Sequence, residues 1–434
     1  MDYQTKILAA RTDPQVLENL YQAARKAGEA DQFGAGVAAA YAQEADSLLF
    51  AAWHYRLLAL EGIEVVKQRI VNWGLVVPIS LISGLLLWIV SDPDLEFADV
   101  RPFMPYFGLL WAPIVGLLMI VYFALTTRKD TLKAVIVGSV ITAAVAYVFA
   151  NSPWDQHYRQ SMAAHLPLLT WIGVGAALLG WRPDAKALYA FLHKSIEAVV
   201  TGGLFLGAVY IFIGITFGLF DALNVEISDE IMRLGFAGGA GVIAVIAVAI
   251  GYDPKASPLE QDFERGISRL VATVPRFMLL PTILVGLIYL GFIPFNFSEP
   301  FKNRDVLIIY NLMLFAIMGL LVGVTPISLE GLSARVQKWL RTGIIVLTVL
   351  VIVVSLYAMS ATVYRTVEGG ITQNRLTIIG WNSINIGILI YLLVSVLRAG
   401  KADWLPALHQ SFKVAAVAYL AWTTFLILAI PILF

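Results

Sequence analysis

Apolar residues in this chain gather into long blocks separated by short polar stretches, and block length decides what they are. A helix rising about 1.5 Å per residue needs about 20 mostly apolar residues to cross a bilayer. Eleven stretches qualify, near 73–91, 102–125, 134–150, 166–181, 197–220, 231–250, 274–293, 306–325, 342–362, 376–397 and 412–433. The fourth is short, and the tenth carries Asn382, Ser383 and Asn385 inside its apolar run. Before residue 70 the pattern changes. Asp13-Pro14 offers an N-cap and a first-turn proline, Leu17, Leu20, Tyr21 and Ala24 follow at helical spacing, and Gly28 suits a C-terminal cap. A second helix after Asp31 places Phe33, Val37 and Tyr41 on one face, and a third from Ser47 carries Leu49, Ala52, Trp53 and Leu60. These periodicities predict an amphipathic helical hairpin over 1–70 and a polytopic membrane domain over 71–434. The first apolar block begins after residue 70, so no cleavable signal peptide is expected.

Composition agrees with a membrane assignment. The 434 residues are 59% hydrophobic and 14% charged, whereas soluble domains run near half apolar and about a quarter charged. With 30 basic and 30 acidic residues, net charge supplies no attraction for nucleic acid. The absence of cysteine excludes disulfides, thiolate metal sites and a cysteine nucleophile. Lysine and arginine are distributed unevenly about the spans. Nineteen flank them on one side and seven on the other, leaving aside the four before residue 27. The positive-inside rule places the richer side, and the N-terminus, in the cytoplasm. An odd number of spans then puts Phe434 on the opposite side. The expected fold is an all-α integral membrane protein of about 11 transmembrane helices preceded by a short hairpin.

The hairpin, with Tyr21, Gly28, Ala39 and Tyr41, is similar to one tetratricopeptide unit. A single unit of that kind needs a neighbour to bury its faces, so residues 1–70 are expected either to dock on the membrane domain as a cytoplasmic cap or to receive a protein partner. The membrane domain shows a repeat of its own. Amphipathic segments near Pro183, Ser257, Ser328 and Ala402 recur at about 72 residues, and Leu192-His193-Lys194-Ser195 matches Leu408-His409-Gln410-Ser411. All enter from the same side, which describes a parallel two-span repeat from 183 onward. The segments are expected to lie in the headgroup plane, with Phe263, Ile267, Leu270 and Val271 forming the apolar face of 259–273.

Ionisable residues within a membrane commonly mark an ion or substrate path, and none falls near the middle of a predicted span. Glu197 and Lys413 sit at span ends, and Thr142, Tyr310, Asn311, Asn382 and Asn385 are the milder polar residues inside. Small residues mark close helix contacts. Gly203 with Gly207, and Gly235 with Gly239, make two GxxxG motifs that predict packing of the fifth and sixth spans on each other or on another copy. Pro78, Pro113, Pro275 and Pro281 are expected to shape their helices.

Two external loops contain candidate ligands. Asp155, His157 and His165 follow the third span, but their spacing matches no zinc pattern. Asp92, Asp94, Glu96 and Asp99 lack the glycine and ligand spacing of a calcium loop. No metal or cofactor is expected. The most specific stretch is Tyr364-Arg365-Thr366-Val367-Glu368-Gly369-Gly370-Ile371-Thr372-Gln373-Asn374-Arg375. Arg365 and Arg375 bracket a Gly-Gly turn, and Thr372 is placed to cap the next helix; together they form a candidate external anion clasp, or an inter-helix clasp that pairs with Glu368 and other outer acids. Arg365, Gly370, Thr372 and Arg375, with Arg276, Pro281 and Tyr289 upstream, resemble the bacterial inner-membrane family known as domain of unknown function 4153. Gly369 stands where that family has tyrosine. The resemblance spans roughly residues 180–400 and implies a multispanning fold in a bacterial cytoplasmic membrane, without implying any chemistry.

No GxSxG, HExxH or GKS/T signature appears, which argues against an enzyme. The expectation is a non-catalytic accessory or scaffold subunit of a membrane assembly, in contact with lipids. The alternative is a transporter or lipid-handling permease for a neutral or anionic solute, using Arg365 and Arg375.

Overall fold

The computed structural model describes residues 3–27, 29–62, 71–92, 106–128, 130–151, 156–263 and 266–434. Its regular structure is helical, and the chain forms two compact units, Met1–Ile70 and Val71–Phe434. The first unit contains α1 (Tyr3–Ala9), α2 (Pro14–Ala27), α3 (Ala30–Gln43) and α4 (Leu48–Gly62). Asp13 caps α2, its Oδ1 accepting from the backbone N–H of Gln15 at 2.9 Å and Val16 at 3.1 Å. Leu17, Phe33, Val37 and Trp53 meet in a shared core, joined by Ile7 of α1 and Phe50 of α4. Ala52 lies on the exposed side of α4. The described residues of this unit thus form four helices rather than the two or three read from periodicity. The seven-residue α1 is too short to show a repeat, and one buried isoleucine anchors it.

Among its described residues the second unit has eleven helices long and apolar enough to span a membrane. They are α5 (Trp73–Val90), α6 (Tyr106–Thr127), α7 (Thr131–Asn151), α8 (Gln156–Leu179), α9 (Ala185–Ala222), α10 (Asp229–Gly251), α11 (Gly266–Phe292), α12 (Arg304–Val324), α13 (Ala334–Gly369), α14 (Gln373–Arg398) and α15 (Trp404–Leu433). The protein is an all-α, multi-pass membrane protein. The short fourth block is a complete 24-residue helix because polar residues 156–165 form its first turns. The helices α9, α11, α13, α14 and α15 make a closed ring of pairwise contacts, with α12 packed against α9, α11, α13 and α14, while α5, α6, α7, α8 and α10 form a second group. Their large apolar side chains face outward in number, among them Phe212 on α9 and Phe277 on α11, as lipid-facing helices require.

The amphipathic segments do not form separate interfacial helices. Those before α9, α13 and α15 continue directly into the spans, giving helices of 38, 36 and 30 residues. At 1.5 Å per residue the longest is roughly 57 Å, nearly twice the bilayer's hydrocarbon thickness. The segment at 259–273 also differs from its expected face. Pro258–Glu260 is a single turn, α11 starts at Gly266, and its inward residues are Ser268 and Val271, while Leu270 is exposed. A polar inward residue defeats the apolar-face reading, and its partner is a buried lysine.

The glycine motifs divide similarly. Spans α9 and α10 do pack on each other, and a Cβ on Gly235 or Gly239 would contact Ile213 or Val209 of α9. Gly203 and Gly207 face away, with nothing within 4 Å of a Cβ built on either. On α9 the inward glycine is Gly202, one residue and about 100° earlier on the helix. Among the described glycines, the closest approach to another helix's backbone is between α5 and α10. A Cβ on Gly241 would sit 2.6 Å from the Ser83 carbonyl oxygen, and one on Gly84 would sit 2.8 Å from that of Gly238. A π-helical turn over Leu234–Gly238 adjoins this crossing, and such bulges are an established cause of helix bending.

Candidate functional site

The densest cluster of polar groups lies at the Lys/Arg-rich end of the ring, on the opening turns of α9. Asp184 caps that helix through the N–H groups of Lys186 and Ala187, and the turns that follow bury Tyr189, His193, Lys194 and Glu197. The Lys194 ammonium donates to Glu197 Oε2 at 2.7 Å, to Ser268 Oγ at 3.1 Å and to the Asp262 carbonyl. Its nitrogen also stands 5.0 Å from the centre of the Phe263 ring, a cation–π contact. The Lys194 and Glu197 side chains are 4% and 10% exposed. Removing two charges from water costs several kcal/mol per ion, which the pair offsets only when its geometry is good and its other donors are used. All three ammonium donors have an acceptor here. The site is therefore closed around its charge and rigid.

Two imidazoles flank the same turns. His409 of α15 stacks on Tyr189, with ring centres 4.4 Å apart, and its Nε2 lies 3.1 Å from the Pro326 carbonyl. His193 meets Tyr189 edge-on at 6.4 Å, and its buried Nδ1 has no hydrogen-bond partner. The Tyr189 hydroxyl shares its proton between the carbonyls of Val322 and Thr325 at the end of α12. The two copies of Leu-His-x-Ser thus converge on a single tyrosine. The sequence contained that signal as a repeat; the ion pair beside it was missed because Glu197 looked like an ordinary span-end residue.

Halfway along the ring a second polar group appears. Tyr310, Asn311, Ser355 and Asn382 line a cavity of about 10 Å³, close to the space of one water molecule. Ser355 Oγ and Asn385 Nδ2 are buried without protein partners, while Asn385 Oδ1 accepts from Tyr419. Tyr289 and Tyr310 share a hydrogen bond. On the neighbouring α8, His165 is buried. Trp381 Nε1–H donates to its Nε2 at 3.0 Å, and its Nδ1 lies 2.7 Å from the Ser161 carbonyl. Those contacts assign the proton to Nδ1 and use both ring nitrogens, so His165 is a packing residue. Asp155 lies outside the described residues, and His157 is exposed. Among the described residues no group of three His, Asp or Glu is arranged to hold a metal ion.

The Arg365, Thr372 and Arg375 stretch is a self-contained turn. Gly370 has φ 76° and ends α13 in a left-handed conformation. Thr372 caps α14 by accepting from the Arg375 N–H. The Arg375 guanidinium folds over Gly369 and donates to the Gly370 carbonyl at 2.6 Å. Arg365 lies one turn before that end of α13, half-buried, and its Nη1 makes no hydrogen bond. The three residues do come near one turn, but Arg375 is already committed to the backbone. On the same side Arg233 pairs with Asp92 at 3.3 Å, tying α10 to the end of α5; Asp94, Glu96 and Asp99 lie outside the described residues. Comparison with known proteins gives no further guide: no family model, curated protein or solved structure matches this chain.

Proposed function

We propose that this protein is a non-catalytic accessory or scaffold subunit of a bacterial cytoplasmic-membrane assembly. The observation that supports this reading is how its buried charge is used. Lys194 spends its three donors on Glu197, Ser268 and a backbone carbonyl, all within the fold. Arg375 closes a turn and His165 bridges α8 to α14. Groups able to bind or transfer protons are used to fix helices against one another. The bacterial inner-membrane assignment draws on the resemblance of Arg365, Gly370, Thr372 and Arg375 to domain of unknown function 4153 and on the lysine and arginine bias. Native mass spectrometry of the full-length protein, gently extracted from its membrane, tests the role. A stoichiometric protein partner beside the 47.5 kDa chain is expected, and recovery of the chain alone overturns the reading.

A second reading, a permease for a small neutral or anionic solute, draws on the polar cavity of Tyr310, Asn311, Ser355 and Asn382. Uptake into proteoliposomes that falls about tenfold in Asn382→Leu would favour it, since tenfold corresponds to about 1.4 kcal/mol, comparable with one buried hydrogen bond.

A further inference from the structure

A cavity of about 750 Å³ opens among the span ends at the Lys/Arg-rich side. Its walls come from four places that the topology brings to one level. They are the start of α5 at Asn72, the end of α6 at Thr126 and Arg128, the start of α7, and Lys255 just after α10. Arg128 and Lys255 make no ion pair among the described residues, whereas nearby Lys133 is neutralised by Asp130 at 3.0 Å. Asp253, the acid nearest Lys255 in sequence, accepts from the backbone N–H of Lys255. Thr126 Oγ1 is buried without a hydrogen-bond partner. Leu75 and Leu125 complete the wall with apolar surface. Two unneutralised cations and an apolar flank therefore meet at the depth where spans leave the membrane.

We infer that this cavity binds the phosphate of an anionic lipid headgroup. A phosphate offers several acceptor oxygens and negative charge, matching the donors of Arg128 and Lys255. The apolar wall formed by Leu75 and Leu125 fits the start of an acyl chain, which a free phosphate ion lacks. Basic pockets between transmembrane helices on the positive side are a recurrent physical solution for holding anionic headgroups. The site is separate from the interlocked charges of Lys194 and from the turn at Arg375.

The test uses the full-length protein in detergent, titrated separately with phosphatidylglycerol, phosphatidylcholine and inorganic phosphate, with bound lipid read by native mass spectrometry. One phosphatidylglycerol is expected to bind about tenfold more tightly than phosphatidylcholine, the effect of one charge-assisted contact. The Arg128→Gln/Lys255→Gln double variant should lose that preference. Arg335→Gln/Lys338→Gln, altering exposed cations elsewhere on the same side, should leave the preference intact and control for general surface charge. Equal binding of the two lipids, or an unchanged preference in the Arg128/Lys255 variant, overturns the site. Inorganic phosphate displacing phosphatidylglycerol at comparable concentration overturns the lipid source.

Discussion

Lys194 and Arg375 are both cations at helix ends, on opposite sides of the same bundle, and they do different work. Lys194 is buried and holds Glu197, Ser268 and a backbone carbonyl from separate elements. Arg375 is half-buried and reaches five residues back to the Gly370 carbonyl. The first links α9 to α11 across 74 residues of chain; the second finishes a local turn. A buried charge leaves an uncompensated ion when its partner is removed, whereas water replaces the partner of an exposed one. The location of a charge, rather than its sign or number, decides whether it organises tertiary structure.

Removing Glu197 breaks this contrast most severely. Glu197→Leu should destabilise the membrane unit by about 3–5 kcal/mol, the usual cost of orphaning a buried ion. The double variant Lys194→Met/Glu197→Leu should recover most of that loss, because no charge is left behind. Reversible unfolding in mixed micelles measures both, and a single-variant loss below about 1 kcal/mol would place the pair in effective contact with water. Between the two ends, the α5–α10 crossing provides a purely steric reference. Gly241→Ala should cost about 1–3 kcal/mol through overpacking against the backbone of Ser83 and Gly84. Gly203→Ala, with nothing near its Cβ, should gain up to about 1 kcal/mol from helix propensity. Equal effects at the two glycines would mean that the crossing gives way without strain.

Those expectations also mark how far the sequence could be read. Eleven apolar blocks and their order were legible because bilayer thickness imposes a length requirement on every span. The cap at Asp13 was legible because capping is local in sequence. Helix phase at the crossings was less so. Gly202 and Gly203 are equally small, and only the position of α10 selects Gly202. The inward role of Ser268 was not legible, because its partner, Lys194, lies 74 residues earlier. The candidate clasp was recognised as a chemical group but not as a closed one, since nothing in Arg365-to-Arg375 spacing reveals that a guanidinium turns back onto Gly370. Period and length carry over from sequence to structure; long-range pairing of polar groups does not.

The far-side turn should respond weakly. Arg375→Gln is expected to cost about 1 kcal/mol, one intramolecular hydrogen bond. Thr372→Ala should cost about 0.5 kcal/mol, at the low end for an N-cap, because the Thr372 Oγ contact is long at 3.4 Å. The same unfolding measurement checks both. A loss from Arg375→Gln as large as that from Glu197→Leu would remove the distinction between the two ends.

The smallest effect belongs to an exposed pair outside the membrane unit, and it sharpens the contrast through pH. Arg56 donates to Glu18 at 2.9 Å, linking α4 to α2, and its guanidinium lies 4.5 Å from the Trp53 ring centre. Hydrogen bonds from Gln22 and then from Arg56 hold the Glu18 carboxyl below the usual glutamate range. A lowered pKa in the folded state means that folding favours the ionised form. The contribution is complete above the unfolded value, about 4.3, and disappears as pH falls through the folded one. Hydrogen exchange of the α2 amides in the full-length protein should therefore be slightly faster in Glu18→Gln than in the natural chain at pH 7. The two should converge as pH falls through the lowered folded value, where Glu18 itself becomes protonated. Added salt should shrink the pH 7 difference, because both side chains are exposed to screening. A difference that did not shrink as pH fell would mean that Glu18 acts through its shape and hydrogen bonds rather than its charge, and would separate it from the electrostatic logic of the buried pair.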